Sequence, residues 1–364
     1  MNIVHLQLGG NPGGIVILTR DMSLLSEHNN CFYFLFEGGS IADEIANSSP
    51  VYVEGARHKA FFSAPKSFLR YCKEQKADVI ILHTPAPLGI ACALYAKRRM
   101  KNCKLFVYWH SNMEEPATRN LKYRLEIALE KAAYRRCDKA LAISESVKKS
   151  HIKFLNLKND KIVVNYNGIF CNKFYTEVEA GPHLPFSIIY IGRIYYSKGI
   201  HVLLDALSKL PDEVKNKIHV TLVGSDSGGY TEKMKQKAEK LELDGIVDFT
   251  GIRLDVPELL AKADLFVHPA ICEEGFGITL AEAMAAYLPC LAFNKGAIPE
   301  IIDNGINGFI ADKATSKCLA EYIEKAYRLF SDNNPEYMTL RNNARNKAKC
   351  FSIEQSVKTL EELY

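Results

Sequence analysis

The sequence predicts an α/β protein of two domains, each a parallel sheet covered by helices, and three observations predict it. Short apolar runs of strand length alternate with helical segments along the chain, the pattern of a parallel sheet whose crossovers are helices. The alternation breaks once, at 176–185, where Gly181, Pro182 and Pro185 fall close together, and then starts again. At 364 residues the chain exceeds what one hydrophobic core usually serves, so two cores are expected.

In the first series, strands are expected at 2–8, 31–36, 79–82, 105–109, 140–143 and 162–164. The second series has them at 186–191, 220–223, 247–250, 265–267 and 291–293. Helices are expected at 200–210 and 279–286, and three more close the chain at 316–330, 335–349 and 353–363. A further helix carries Leu121, Leu125, Leu129 and Ala133 as an apolar stripe beside Lys122, Arg124, Lys131, Arg135 and Arg136. Together with Lys97, Arg98, Arg99, Lys101 and Lys104 it reads either as an amphipathic helix with a solvated outer face or as a contact for an anionic membrane surface.

The remaining composition excludes more than it selects. A formal charge of +4, from 46 Lys and Arg against 42 Asp and Glu, is too mild for a nucleic-acid binder. The ten cysteines show no short paired spacing, which gives no zinc pattern, and a reducing cytoplasm is expected. Cys272 beside Glu273 and Glu274 has no visible partner base and reads as structural. The amino terminus opens on a strand without a basic leader, so no signal peptide is expected. The longest apolar stretch, 88–96, is well short of the roughly 20 residues that cross a bilayer. Any membrane contact is therefore expected to be peripheral.

Two constellations carry chemistry. Glu274-Gly275-Phe276-Gly277, followed by Ile278 and, after the apolar run, Glu282, sets two carboxylates around a strand-to-helix turn. Gly275 and Gly277 let backbone approach a ligand, and the amides and positive dipole end of the following helix suit a diphosphate, which leaves the carboxylates to grip hydroxyls. Read blandly, they are one loop residue and one solvated helix residue. Upstream, Gly192-Arg193 and Lys198-Gly199 follow the strand 186–191, so both cations project from a strand's carboxyl end, where open α/β sheets bind ligands. Such cations stabilise a departing diphosphate. The plain alternative is a solvated loop.

His110 ends the strand before it and also lies at a carboxyl edge, as does His83 after 79–82. The glycine turn Gly9-Gly10-Asn11-Pro12-Gly13-Gly14 follows the first strand. It departs from the dinucleotide fingerprint, and no ribose-binding acid ends the second strand, which disfavours a nicotinamide dehydrogenase.

These segments, with Trp109-His110-Ser111, Ala142-Ile143-Ser144-Glu145-Ser146, Asn167-Gly168-Ile169, Pro299-Glu300 and Asn307-Gly308, resemble in their order the retaining glycosyltransferases of family 4. The resemblance implies the GT-B fold: two Rossmann-like α/β domains with parallel sheets facing across a cleft. It places an acceptor-side domain at 1–178, a nucleotide-sugar domain at 179–345 and a final helix at 346–364 that crosses back toward the first. It implies transfer of a sugar from a nucleoside-diphosphate sugar, UDP favoured and GDP-mannose next, to a glycan or lipid-linked acceptor in bacterial lipopolysaccharide, O-antigen or capsule assembly. No metal or other cofactor is implied, the donor being a substrate, and the location implied is the cytoplasm or the inner face of its membrane.

Carried over residue by residue, Arg193 and Lys198 would hold the diphosphate, Glu274 the donor-sugar hydroxyls, Glu282 the ribose and His110 the sugar from the other domain. Gly13, Gly14, Gly192, Gly275, Phe276, Gly277 and Ile278 would line the donor, and Asn11 and His83 the acceptor side. Two residues depart from the family pattern: Tyr287, where glycine is usual, and Ala270, where serine is common. The competing readings are a sugar-nucleotide epimerase, a phosphorylase and a non-catalytic binding subunit. The phosphorylase lacks a lysine-centred pyridoxal site, and the intact glutamates and cations oppose a silent subunit.

Overall fold

The computed structural model describes residues 1–56, 62–83, 85–114, 120–175 and 182–364. The chain divides into two compact units, one formed by Met1–Gly168 with Ile353–Tyr364 and the other by Ile169–Ser352. The junction expected at 178/179 lies outside the described residues.

In unit 1 the strands are β1 (Asn2–Gly9), β2 (Asn29–Glu37), β3 (Val51–Val53), β4 (Val79–Leu82), β5 (Lys104–Trp109), β6 (Lys139–Ala142) and β7 (Ile162–Val164). They form one parallel sheet in the order β3-β2-β1-β4-β5-β6-β7. All four residues of β4 are buried, as expected of a parallel strand covered on both faces. The edge strand β3 escaped the sequence reading because it is three residues long and half turned to solvent.

The closing helix Ile353–Glu361 belongs to unit 1, where Ser356 Oγ donates to Asn165 Oδ1 at 3.3 Å and Ser26 Oγ to Glu361 Oε1 at 2.7 Å. The basic helix is Leu121–Arg136, and its stripe is only partly inward. Ala133 is buried, but Leu121 and Leu125 are 80% and 59% exposed.

In unit 2 the strands β8 (Phe186–Ile191), β9 (Ile218–Val223), β10 (Val247–Gly251), β11 (Leu265–His268), β12 (Cys290–Phe293) and β13 (Gly308–Ala311) form a second parallel sheet, ordered β10-β9-β8-β11-β12-β13. Its core joins Phe186, Ile188 and Tyr190 of β8 to the apolar faces of the helices Ile200–Leu207 and Ser316–Ser331. The strand β13 was also unread, since Gly308-Phe309-Ile310-Ala311 is short and begins with glycine.

In both sheets the order reverses beside the strand that opens the unit, at β1/β4 and at β8/β11. Parallel α/β sheets open a crevice at such reversals, at the carboxyl ends of the strands. The candidate residues of both units are found at these ends.

Candidate active site

In unit 2 the chain leaves β8 at Gly192, passes the short turn Tyr196–Lys198 and enters the helix Ile200–Leu207 through Gly199. Gly199 has φ +71°, and a Cβ there would stand 1.8 Å from the Pro269 carbonyl oxygen. Only glycine lets this turn close on the end of β11, which aims the Lys198 side chain across the reversal. Lys198 Nζ donates to Glu274 Oε2 at 2.6 Å, although 76 residues separate them.

His268, the last residue of β11, approaches the same oxygen with Nε2 at 3.0 Å. Its Nδ1 is buried with no partner, so its hydrogen bond to the carboxylate is given by Nε2–H. Burial acts to raise the Glu274 carboxyl, but the hydrogen bonds and charges of His268 and Lys198 outweigh it and hold the group down to about 2. Glu274 is therefore an ionised acceptor near neutral pH. It suits hydroxyl groups and cannot serve as a general acid there.

The Glu274 loop is braced from behind. Gly296, at φ +57°, lies so close that a Cβ would stand 2.1 Å from the Glu274 carbonyl oxygen. The Gly296 amide donates to Glu273 Oε2 at 2.6 Å and the Ala297 amide to the Glu274 carbonyl at 2.9 Å. Gly275, Phe276 and Gly277 then lead into the helix Ile278–Ala285, with Gly277 at its cap and Phe276 buried. Glu282 falls on this helix, half-buried, one turn in from its positive end. Arg193 is exposed, with its guanidinium 5.2 Å from the centre of the Tyr195 ring. Lys198 and Glu274 are thus joined in one cluster, while Arg193 stands beside it at the edge.

In unit 1 the helix Gly14–Leu25 begins on the last residue of the glycine turn that follows β1, with Gly13 at its cap. Asn11 is exposed and donates through Nδ2 to Glu37 Oε1 at 2.7 Å. His110 follows β5 and His83 follows β4, and His83 Nδ1 lies 3.1 Å from His110 Nε2. The other His83 nitrogen meets His5 Nδ1 at 2.9 Å. His83 is 1% exposed with both nitrogens engaged, so it has no surface to offer an acceptor directly, and its influence must pass through His110. Burial pushes His83 well below the usual range for histidine and His110 down to about 3.

Sequence reasoning missed His268, His5 and Gly296. His268 could have been found by the rule that singled out His83 and His110, a histidine at the carboxyl end of a buried strand. His5 sits inside β1 and Gly296 far along the chain, and neither has a local signal. Tyr287, the departure from family pattern, adopts the left-handed conformation glycine would take, at φ +62°. Its ring lies 4.3 Å from the Arg345 guanidinium, which also covers Tyr175 at 4.0 Å, and its carbonyl accepts from Arg341 Nε at 3.0 Å. Ala270 is buried against the end of β11. No group of histidine, cysteine and carboxylate side chains suited to a metal occurs among the described residues.

Two Rossmann-like units, each with one parallel sheet, are the architecture of the GT-B class. Residues 175–347 match the model of glycosyl transferases group 1, and residues 26–173 that of glycosyltransferase family 4. The chain belongs to the GT-B group 1 glycosyltransferases. It is 26% identical to the capsular polysaccharide biosynthesis glycosyltransferase CapM of Staphylococcus aureus, over 96% of this chain and 93% of that one. WcaL of Salmonella typhimurium, named for colanic acid biosynthesis, is 24% identical over 72% of this chain, which spans only 64% of the length of that relative. Among solved structures, Anabaena HepE in complex with UDP superposes with a TM-score of 0.85 at 23% identity, covering 100% of this chain and 99% of that one.

Proposed function

We propose that this enzyme transfers a sugar, with retention of configuration, from a UDP-sugar to a glycan or lipid-linked acceptor of a bacterial surface polysaccharide. The observation that carries the reading is the cluster at the β8/β11 reversal: an ionised Glu274 held by Lys198 and His268, ahead of a helix start and of Glu282. A fixed carboxylate beside cations and a helix dipole suits a ligand with hydroxyls at one end and a diphosphate at the other. Glu274 receives sugar hydroxyls, Glu282 the ribose, and Arg193 and Lys198 the diphosphate.

In the proposed step, the bond between the sugar's anomeric carbon and the diphosphate oxygen breaks, its electron pair leaving with the diphosphate. The acceptor hydroxyl oxygen bonds to that carbon on the same face, and its proton passes to the departing diphosphate. Positive groups already in place stabilise the developing charge more than the ground state. UDP is favoured because HepE, with the same fold, is described in complex with UDP and with UDP-glucose. Surface-polysaccharide assembly is favoured by the names of CapM and WcaL, and by the lipopolysaccharide glucosyltransferase WaaG of Escherichia coli, 33% identical over 44% of this chain and 41% of that one.

An anionic membrane surface as a further partner is supported by exposed Leu121 and Leu125 beside exposed Lys122 and Arg124. No helix among the described residues is long and apolar enough to cross a membrane. The test of donor class is calorimetry with UDP, GDP, ADP and their sugar conjugates, wild type against Glu282→Ala. Binding of UDP-sugars that is lost in the variant is expected, whereas equal binding by both proteins removes Glu282 from the ribose. Consumption of sugar nucleotide without acceptor, giving an epimer, would replace transfer with epimerisation.

A further inference from the structure

The histidine contact at the end of β5 is the last link of a longer chain that crosses four adjacent strands. His5 on β1 pairs in register with Phe32 of β2 and Ile81 of β4, and Ile81 pairs with Phe106 of β5. Asn30 precedes Phe32 by two residues, His83 follows Ile81 by two, and His110 follows Phe106 by four. Because strand side chains alternate, all four project from the same face of the sheet. They run diagonally from the start of β2 to the end of β5.

Hydrogen-bond polarity along this chain is set at its far end. Asn30 Nδ2 donates to the His28 carbonyl at 2.9 Å, which turns the Asn30 amide oxygen toward His5 Nε2, 2.9 Å away. An amide oxygen only accepts, so His5 carries its proton on Nε2 and leaves Nδ1 as an acceptor. His83 Nε2 must then donate to His5 Nδ1, at 2.9 Å, and His83 Nδ1 must accept. His110 Nε2 in turn donates to His83 Nδ1, at 3.1 Å.

Protonating any internal member would set two donors against each other in a buried site, and burial already holds His5 down to about 4. Ring stacking holds the planes: His5 on Phe32 at 4.8 Å, His83 on His110 at 5.3 Å. His110 alone is only half-buried, and its Nδ1 has no protein partner among the described residues.

We propose that Asn30, His5 and His83 are positioning residues that lock His110 in one tautomer, so that His110 Nδ1 is a hydrogen-bond acceptor for a sugar hydroxyl and never a donor to an anionic oxygen. The assignment of a sugar hydroxyl rests on the proposed transferase reading. The tautomer does not.

The test is a long-range ¹H–¹⁵N histidine spectrum of the ¹⁵N-labelled full-length protein at pH 7, alone and with UDP, UDP-glucose, UDP-galactose or UDP-N-acetylglucosamine. All three rings are expected as the Nε2–H tautomer. The His110 Nδ1 resonance is expected to move with the UDP-sugar that binds and to stay in place with UDP. A His110 ring protonated at Nδ1, or one unmoved by a UDP-sugar that does bind, overturns the proposal.

Two substitutions separate polarity from packing. In His83→Gln the amide can donate to His5 and accept from His110, so the tautomer and UDP-sugar hydrolysis should remain within about threefold. In His83→Leu the link is cut, and kcat should fall on the order of tenfold or more, through a scrambled His110 tautomer, while UDP binding is unchanged. Equal behaviour of the two variants counts against the array, and if His83→Leu does not fold, Asn30→Leu carries the same expectation. The expected tautomers in a protein that binds no UDP-sugar would sustain the array and overturn the donor reading.

Discussion

The two strand reversals solve the same problem, polar groups at the end of a buried sheet, in opposite ways. At β1/β4 the polar groups are imidazoles kept neutral by burial, each satisfying the next in a directed chain. At β8/β11 they are charged, and Glu274 stays ionised because a lysine and a histidine both give to one of its oxygens. Neutral groups hand on direction without attracting a counter-charge, whereas the ionic cluster can neutralise an anion. The contrast is between a neutral, directional array in unit 1 and an ionic cluster in unit 2.

The largest effect should come from removing charge in unit 2. Arg193→Ala with Lys198→Ala is expected to lower turnover by about 10² to 10³, the usual cost of losing an oxyanion-type contact, with little change in unit 1. Turnover of UDP-sugar within a few-fold of wild type would remove both cations from leaving-group stabilisation and erase the contrast.

Acid should break the two regions in sequence. Native His5 takes a proton only near pH 4, and the unfolded chain takes it near 6.5, so the unfolded state holds more protons in between and stability falls as pH drops through that window. For Glu274 the native value is about 2 and the unfolded value 4.5, so its contribution is complete above 4.5 and is lost only toward 2. Each is worth about 3 kcal/mol at its limit. Hydrogen exchange at pH 7 and 5 should therefore show β1, β4 and β5 losing protection before β8 and β11, and simultaneous loss would contradict the neutral-chain account.

A smaller loss is expected from Gly296→Ala. The left-handed backbone and the approach to the Glu274 carbonyl should cost about 2–3 kcal/mol and displace the Glu274 loop, read as a lower midpoint of thermal unfolding together with weaker UDP-sugar binding. A stable variant that binds normally would free Glu274 from its brace. The smallest effect is predicted for Tyr287→Gly, where relief of the left-handed backbone offsets loss of the stack on Arg345, leaving stability within about 1 kcal/mol by denaturant titration.

Much of this was legible locally. The strands β1, β4, β5, β8 and β11 are apolar runs long enough to show their period, and Arg193, Lys198, His83 and His110 could be found because each follows such a run. The edge strands β3 and β13 are too short to carry a pattern. Leu121 and Leu125 have helical spacing in the sequence yet remain outside the core, because periodicity records a shared helix face and not what covers it.

By itself, the sequence determined the alternation of strands and helices, and with it the carboxyl edges where polar residues would gather. Only the tertiary structure decided which of those residues meet. The order β2-β1-β4-β5 makes neighbours of Asn30, His5, His83 and His110, and the β8/β11 reversal places Lys198 on Glu274 across 76 residues. Protonation belongs to the same level, since it is set by desolvation and by partners that arrive from distant segments when the sheets form.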